Sequence, residues 1–145
     1  MKIIANNPKA AYDYHLFTHF DAGLVLSGLE IKAIRDKGVS IAEAWIQVRD
    51  GRVLLMDANI TPKNSADWEL TSYKPNGTRV VLLRKKEIVS LERELLSGRT
   101  AVPLRVYLND HGFAKLVIAT AKGKKQHDKR ETTRAHDLQR YGFEN

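Results

Sequence analysis

Two hairpin patterns set the limits on what this chain can fold into. Ala44, Ile46 and Val48 alternate with Trp45, Gln47 and Arg49. Side chains two apart lie on one face of a strand, so this is the period of a half-buried strand. Asp50-Gly51 follows, a tight-turn pair in which glycine accepts positive φ, and a return strand runs from Arg52 to Ile60 and stops before Pro62. The second hairpin alternates Leu104, Val106 and Leu108 with Arg105 and Tyr107, turns over Asn109-Asp110-His111-Gly112, and returns from Ala114 to Thr120. An early strand pair is expected over 13–20 and 23–26, and a further strand over 79–84.

Two helices interrupt the strands. Over Gly28–Lys37, Ile31 and Ile34 share one side, Lys32 and Arg35 share another, and Gly38 ends the pattern. Over Lys85–Ser97, Ile88, Leu91 and Leu95 recur at helical spacing, with Gly98 as the stop. About six strands and two helices predict a mainly β fold with flanking helices. A small closed barrel of the oligonucleotide-binding type is the expectation for a basic domain of this size, although pattern alone leaves another α+β barrel open. The longest irregular stretch, 64–77, holds Trp68 and Tyr73 among polar residues. It reads as a loop that one aromatic pins to the barrel, with a functional loop as the other reading.

The 145 residues suffice for one domain with a core of its own. Lysine and arginine exceed aspartate and glutamate to give a net charge of +7. Such a balance fits a polyanionic partner, nucleic acid ahead of an anionic membrane surface. There are no cysteines, which removes disulfides, thiol catalysis and thiolate metal sites. The stretch MKIIANNPK is too short and polar for a signal peptide, and no apolar run approaches the length of a membrane span. A cytoplasmic protein without membrane contact is expected.

Nothing in the chain reads as an enzyme or a cofactor site. His15 and His19 are four apart in a strand-like segment, outside any HExxH context and without a carboxylate at metal-ligand spacing, so no metal is expected. Ser27 and Ser40 lack a nucleophile-elbow signature, and Gly23 and Gly28 lack the Lys-Ser/Thr of a phosphate loop. Binding is better supported. Lys32, Arg35, Arg79, Arg84, Lys85, Lys86 and Lys115 are candidates for phosphate contacts. Tyr12, Tyr14, Phe17 and Phe20 are candidates either for stacking on unpaired bases or for core packing.

Three segments carry a resemblance: NPKAAYDY at 7–14, HFDAGLVLSGLEIKAIR at 19–35 and AKGKKQHDKRE at 121–131. ANITP, LLRKKEI and VPLRVYLNDHGFAKL support them. Together they resemble the SsrA-binding protein family, also called small protein B or SmpB, from Asn7 to about Glu131. The resemblance implies an oligonucleotide-binding barrel that binds the tRNA-like domain of transfer-messenger RNA (tmRNA, SsrA). It implies delivery of that RNA to stalled ribosomes for trans-translation, with no enzymatic step and no cofactor. A charged C-terminal tail would enter the empty decoding centre.

Carried over by position, the family's RNA contacts fall on Asp21, Leu82 and Lys115, with an aromatic slot at Tyr12; with the cations Lys9, Lys32, Arg35, Arg79 and Lys85 these make up the expected RNA-binding set. Asp21 is suited to a base edge, a 2′-hydroxyl or a neighbouring cation rather than a phosphate. Tyr12 stands where the family often has His, a change that keeps stacking but not proton-dependent chemistry. The ribosome-contacting set is Gly123, Lys124, Lys125, Asp128, Lys129 and Arg130, with Gly123 as the bend at the barrel exit. The expected division is therefore a barrel over 1–121 and a tail over 122–145 that is mobile when free, in a monomeric protein.

Two departures qualify the resemblance. Residues 132–145 balance Arg134 and Arg140 against Asp137 and Glu144, where the family continues with a basic stretch. As a helix these residues span only about 21 Å. Gly77 also replaces one of two arginines typical of the central loop. The alternative they motivate is a general barrel-type RNA binder without the rescue role.

Overall fold

The computed structural model describes residues 1–63, 68–69 and 71–125. The chain is mainly β, with one large antiparallel sheet and three short helices among the described residues. The strands are β1 Lys2–Asn6, β2 Tyr14–Leu24, β3 Val39–Ser40, β4 Trp45–Arg49, β5 Arg52–Met56, β6 Asn59–Ile60, β7 Arg79–Leu82, β8 Thr100–Leu108 and β9 Ala114–Gly123. The helices are α1 Pro8–Asp13, α2 Gly28–Arg35 and α3 Lys85–Leu96. Seven strands pair in the order β1-β8-β9-β2-β7-β5-β4, while β3 and β6 form a separate two-stranded ladder.

The hairpins form where the alternation predicts them. In β4 and β5, Ile46, Val53 and Leu55 point inward and are buried, while Trp45, Arg49 and Arg52 face outward. Burying each such aliphatic side chain stabilises the fold by about 1.5–3 kcal/mol. Asp50 and Gly51 both take positive φ, 51° and 76°, which gives the turn the twist of its flanking strands. The core continues through Phe20 and Ala22 of β2, Val81 of β7, Val106 of β8, and Leu116 and Ile118 of β9, with Ile34 and Leu91 supplied by α2 and α3.

The structure departs from the sequence reading at three points. The early strand pair is one eleven-residue strand, β2, because Asp21-Ala22 offers no turn chemistry and Gly23 pairs on both sides, with Leu82 and Lys115. The return strand from Arg52 ends at Met56: Asp57 takes φ 58°, accepts a hydrogen bond from Trp45 Nε1 at 2.8 Å, and sends the chain into β6. The strand β1 and the helix α1 were not anticipated; α1 is six residues, too short for periodicity, though Asn7-Pro8 is a start signal. Closure into a barrel was expected, but among the described residues no hydrogen-bonded ladder joins the two edge strands β1 and β4.

The helices sit where side-chain chemistry fixes them. Ser27 and Glu30 cap α2 reciprocally: Ser27 Oγ accepts from the Glu30 N–H at 3.3 Å, and Glu30 Oε1 accepts from the Ser27 N–H at 3.0 Å. At its other end a Cβ on Gly38 would collide with the Thr61 carbonyl, so this position requires glycine. Helix α3 docks through Glu94. Its Oε1 accepts from Thr18 Oγ1, Thr120 Oγ1 and Arg99 at 3.0, 2.8 and 2.8 Å. The bulge in β2 between Leu16 and His19 leaves the Thr18 N–H outside the ladder, and Thr120 Oγ1 accepts it at 3.0 Å. Burial raises the Glu94 carboxyl, but the bonds from Thr120, Arg99 and Thr18 together hold it below the ordinary glutamate value. No helix among the described residues is long and apolar enough to cross a membrane.

Candidate nucleic-acid interface

The sheet register builds one surface row across four strands. Leu82 of β7 lies opposite Gly23 of β2, Gly23 opposite Lys115 of β9, and Lys115 opposite Tyr107 of β8. Cross-strand neighbours share a face, so these residues line one surface. Asp21 lies two residues from Gly23 along β2 and therefore on the same face. Tyr107 donates its hydroxyl proton to Asp21 Oδ1 at 2.8 Å. Burial, with the Asp21 carboxylate beside it, raises the Tyr107 hydroxyl above its ordinary value, so it remains a donor at neutral pH. That is the only side-chain hydrogen bond given to Asp21 among the described residues, which leaves its carboxylate with acceptor capacity.

A cleft of about 480 Å³ opens between Asp21, Leu82, Leu83, Arg84, Glu87 and Lys115. A second, of about 440 Å³, shares Leu82 and Lys115 and continues past Arg35, Ile31 and Leu26 to His111 and Phe113. Leu82 is 56% exposed, an apolar side chain in the open between two cations, Arg84 and Lys115. Of the sequence-derived candidates, the structure thus brings Asp21, Leu82, Lys115 and Arg35 together. Lys32 is exposed one turn before Arg35 on α2, and Lys85 is exposed at the start of α3.

Arg79 is a correction. The sequence places it among the cations for RNA, but it is 4% exposed. Its Nε meets Glu30 Oε2 at 2.7 Å, one terminal nitrogen donates to the Ala58 carbonyl at 2.6 Å, and the other donates to Tyr73 Oη at 3.0 Å and the Pro75 carbonyl at 2.8 Å. Tyr73 in turn donates to the Ile60 carbonyl at 2.7 Å, so the pinning aromatic of the central loop is Tyr73. With four of its five N–H donors engaged inside the protein and its side chain buried, this guanidinium is not presented to a phosphate.

Lys9 and Tyr12 are elsewhere. Both lie on α1, before Tyr14 and at the opposite end of β2 from Gly23, roughly 30 Å along the strand at about 3.3 Å per residue. Lys9 Nζ reaches Glu43 Oε1 at 3.2 Å. The root of the tail is at this same end. Gly123 is not a bend: it is the last residue of β9, extended opposite Tyr14, two residues past the expected end of the barrel. Lys124 then clips onto α1, its N–H donating to the Asp13 carbonyl at 2.8 Å and its Nζ to the Ala11 carbonyl at 3.0 Å. Lys125 is the last described residue; Asp128, Lys129 and Arg130 lie outside the described residues.

Sequence reasoning missed Tyr107, the partner of Asp21, and Phe113. Tyr107 was visible as an outward position of the second hairpin, but its pairing with Asp21 depends on the β8–β9–β2 register. Phe113 follows the turn and carries no pattern of its own.

The chain is similar to known proteins along most of its length. The family model described as SmpB protein matches residues 4–142. An SsrA-binding protein of Streptococcus pyogenes serotype M3 is 43% identical over 139 residues, which cover 95% of this chain and 88% of the relative. The SsrA-binding protein of serotype M49 is 42% identical over the same extent. A solved structure described as "tmRNA-SmpB: a journey to the center of the bacterial ribosome" superposes with a TM-score of 0.69 at 30% identity, covering 90% of this chain and 94% of that one. By this match along nearly its whole length, the chain belongs to the SmpB family.

Proposed function

We propose that this chain binds the tRNA-like domain of transfer-messenger RNA and delivers that RNA to stalled ribosomes for trans-translation, as a binding protein with no catalytic step. The observation that carries the reading is the convergence of Asp21, Leu82 and Lys115, far apart in sequence, around one open cleft. A cation, an apolar side chain and a carboxylate with acceptor capacity can meet a phosphate, a base face and a base edge or 2′-hydroxyl respectively. Arg84 lines the same cleft and Arg35 the adjoining one, and with the exposed Lys32 and Lys85 they add salt-dependent attraction.

The open sheet is read as an oligonucleotide-binding barrel, since β4 approaches β8 at the far end of the strand order. Residues 124–145, beyond β9, form the second functional unit, and the ribosome's decoding centre is their partner through Lys124, Lys125, Asp128, Lys129 and Arg130. Lys9 and Tyr12, which share an end with the root of that tail, belong with this second task rather than with the cleft. The protein acts in the cytoplasm as a monomer.

The test is a salt-titrated binding assay against transfer-messenger RNA, with ordinary tRNA and a random duplex as competitors. Preference for transfer-messenger RNA that persists as salt rises is the expected result. Equal binding to all three, lost together with salt, would leave only nonspecific charge at work. The tail is tested apart: Asp128→Ala with Lys129→Ala and Arg130→Ala should leave RNA affinity nearly unchanged and abolish peptide tagging. A collapse in RNA affinity would put the tail in the RNA site. Full RNA binding by the unaltered protein without tagging would favour a general RNA binder whose charge-balanced end, 132–145, has lost the rescue role.

A further inference from the structure

The turn of the β8–β9 hairpin presents an aromatic ring that the fold itself does not use. Phe113 is 67% exposed, second only to Leu96 among the large apolar side chains of the described residues. Its backbone is nonetheless tightly held. Asn109 Oδ1 accepts from the N–H groups of His111 at 3.0 Å and Phe113 at 2.9 Å. The Asn109 N–H donates to the Phe113 carbonyl at 3.0 Å, and the Gly112 N–H to the Asn109 carbonyl at 2.9 Å, with Gly112 at φ 81°. A ring on so constrained a turn loses little conformational entropy when something covers it.

Among the described residues, Phe17 shows the contrast. Phe17 is covered by the Arg99 guanidinium, 3.8 Å from the ring centroid. Phe113 has no such ring or cation contact among the described residues. It lines instead the 440 Å³ cleft, together with apolar Leu26, Ile31 and Leu82 and the cations Arg35 and Lys115. An aromatic ring, apolar neighbours and two cations together match one unpaired nucleotide: a base to stack and a phosphate to neutralise.

We propose that Phe113 is a stacking platform for an unpaired base of the bound RNA, with Arg35 and Lys115 holding the adjoining phosphates. The inference rests on the reading of the Asp21–Leu82–Lys115 cleft as the RNA interface, and extends that interface along the hairpin. The base is recognised by its face and not its edge, so this position tolerates any base but requires one that is free of a partner strand.

The experiment measures affinity for the tRNA-like domain with Phe113→Ala, Phe113→Leu, Phe113→Trp and Lys115→Glu, melting temperature being followed for each. Phe113→Ala and Phe113→Leu should each weaken binding about tenfold, the scale of one lost base–aromatic stack, with the salt slope unchanged. Phe113→Trp should bind at least as well as wild type, and its fluorescence should be quenched on addition of RNA. Wild-type affinity in Phe113→Ala overturns the proposal. So does full affinity in Phe113→Leu, which would mean simple apolar contact. Weak binding by Lys115→Glu with normal binding by Phe113→Ala removes the stacking platform alone. Normal binding by both removes it together with the cleft.

Discussion

The molecule sets a carboxylate, a cation and a tyrosine side by side twice, to opposite effect. Glu30, Arg79 and Tyr73 form a closed cluster in which the guanidinium makes four hydrogen bonds and the tyrosine hydroxyl both donates and accepts. Asp21, Lys115 and Tyr107 form an open one, on a sheet face with a single internal hydrogen bond between Tyr107 and Asp21. The first joins α2, the central loop and β7. The second joins nothing that the sheet ladder does not already hold. Polar groups whose hydrogen-bonding capacity is spent inside the protein are structural; the same groups with capacity left over at a cleft are available to a ligand.

Removing the closed cluster's cation should give the largest effect. Arg79→Ala strands the Glu30 carboxylate in a buried site and should cost about 3–5 kcal/mol of stability, read from denaturant unfolding. Arg79→Lys should recover little of it, because an ammonium lacks the fork geometry that serves four acceptors. A full loss of RNA affinity in a stably folded Arg79→Ala protein would break the comparison by making the closed cluster part of the interface.

The open cluster should respond in the opposite way. Lys115→Glu and Asp21→Arg should each lower affinity for the tRNA-like domain by about tenfold or more, with no significant change in unfolding midpoint. Replacing Lys115 by Gln should reduce the salt slope of binding by about one. Unchanged binding in both Lys115→Glu and Asp21→Arg would move the RNA site elsewhere.

A smaller effect is expected at Glu94, a second internally satisfied carboxylate. Its carboxyl is held below the ordinary value of 4.5 in the folded protein, despite burial, by Thr120, Arg99 and Thr18. A depressed folded value stabilises the protein above the unfolded value and loses that contribution as pH falls through the folded one. Glu94→Gln should therefore cost about 1 kcal/mol near neutral pH, and the difference from wild type should shrink below about pH 4.5. Parallel stability curves down to pH 3 would show that Glu94 is not held by these partners.

The smallest expected change comes from Tyr107→Phe. Losing one exposed hydrogen bond should alter stability by less than about 1 kcal/mol, while freeing Asp21 to move should weaken RNA binding a few-fold. An effect on stability alone would make Tyr107 another structural tyrosine.

Residues adjacent in the chain were enough for the local pieces of this protein. The alternation through Trp45–Arg49 and Leu104–Leu108, the turn at Asp50-Gly51, and the spacing of Ile88, Leu91 and Leu95 each encode an element within a few residues, and the motif segments carry the family. Short or pattern-poor elements, such as β1 and α1, did not show. What only the tertiary structure decided is which charges are spent. Arg79 and Lys115 look alike in sequence, as basic residues beside apolar strands. Arg79 is consumed because β6, the central loop and α2 bring the Ala58 and Pro75 carbonyls, Tyr73 and Glu30 to it; Lys115 is left open because the β7–β2–β9 register sets it beside Gly23, which has no side chain to cover it. Hydrogen-bond partners of that kind come from distant parts of the chain, and no local pattern encodes them.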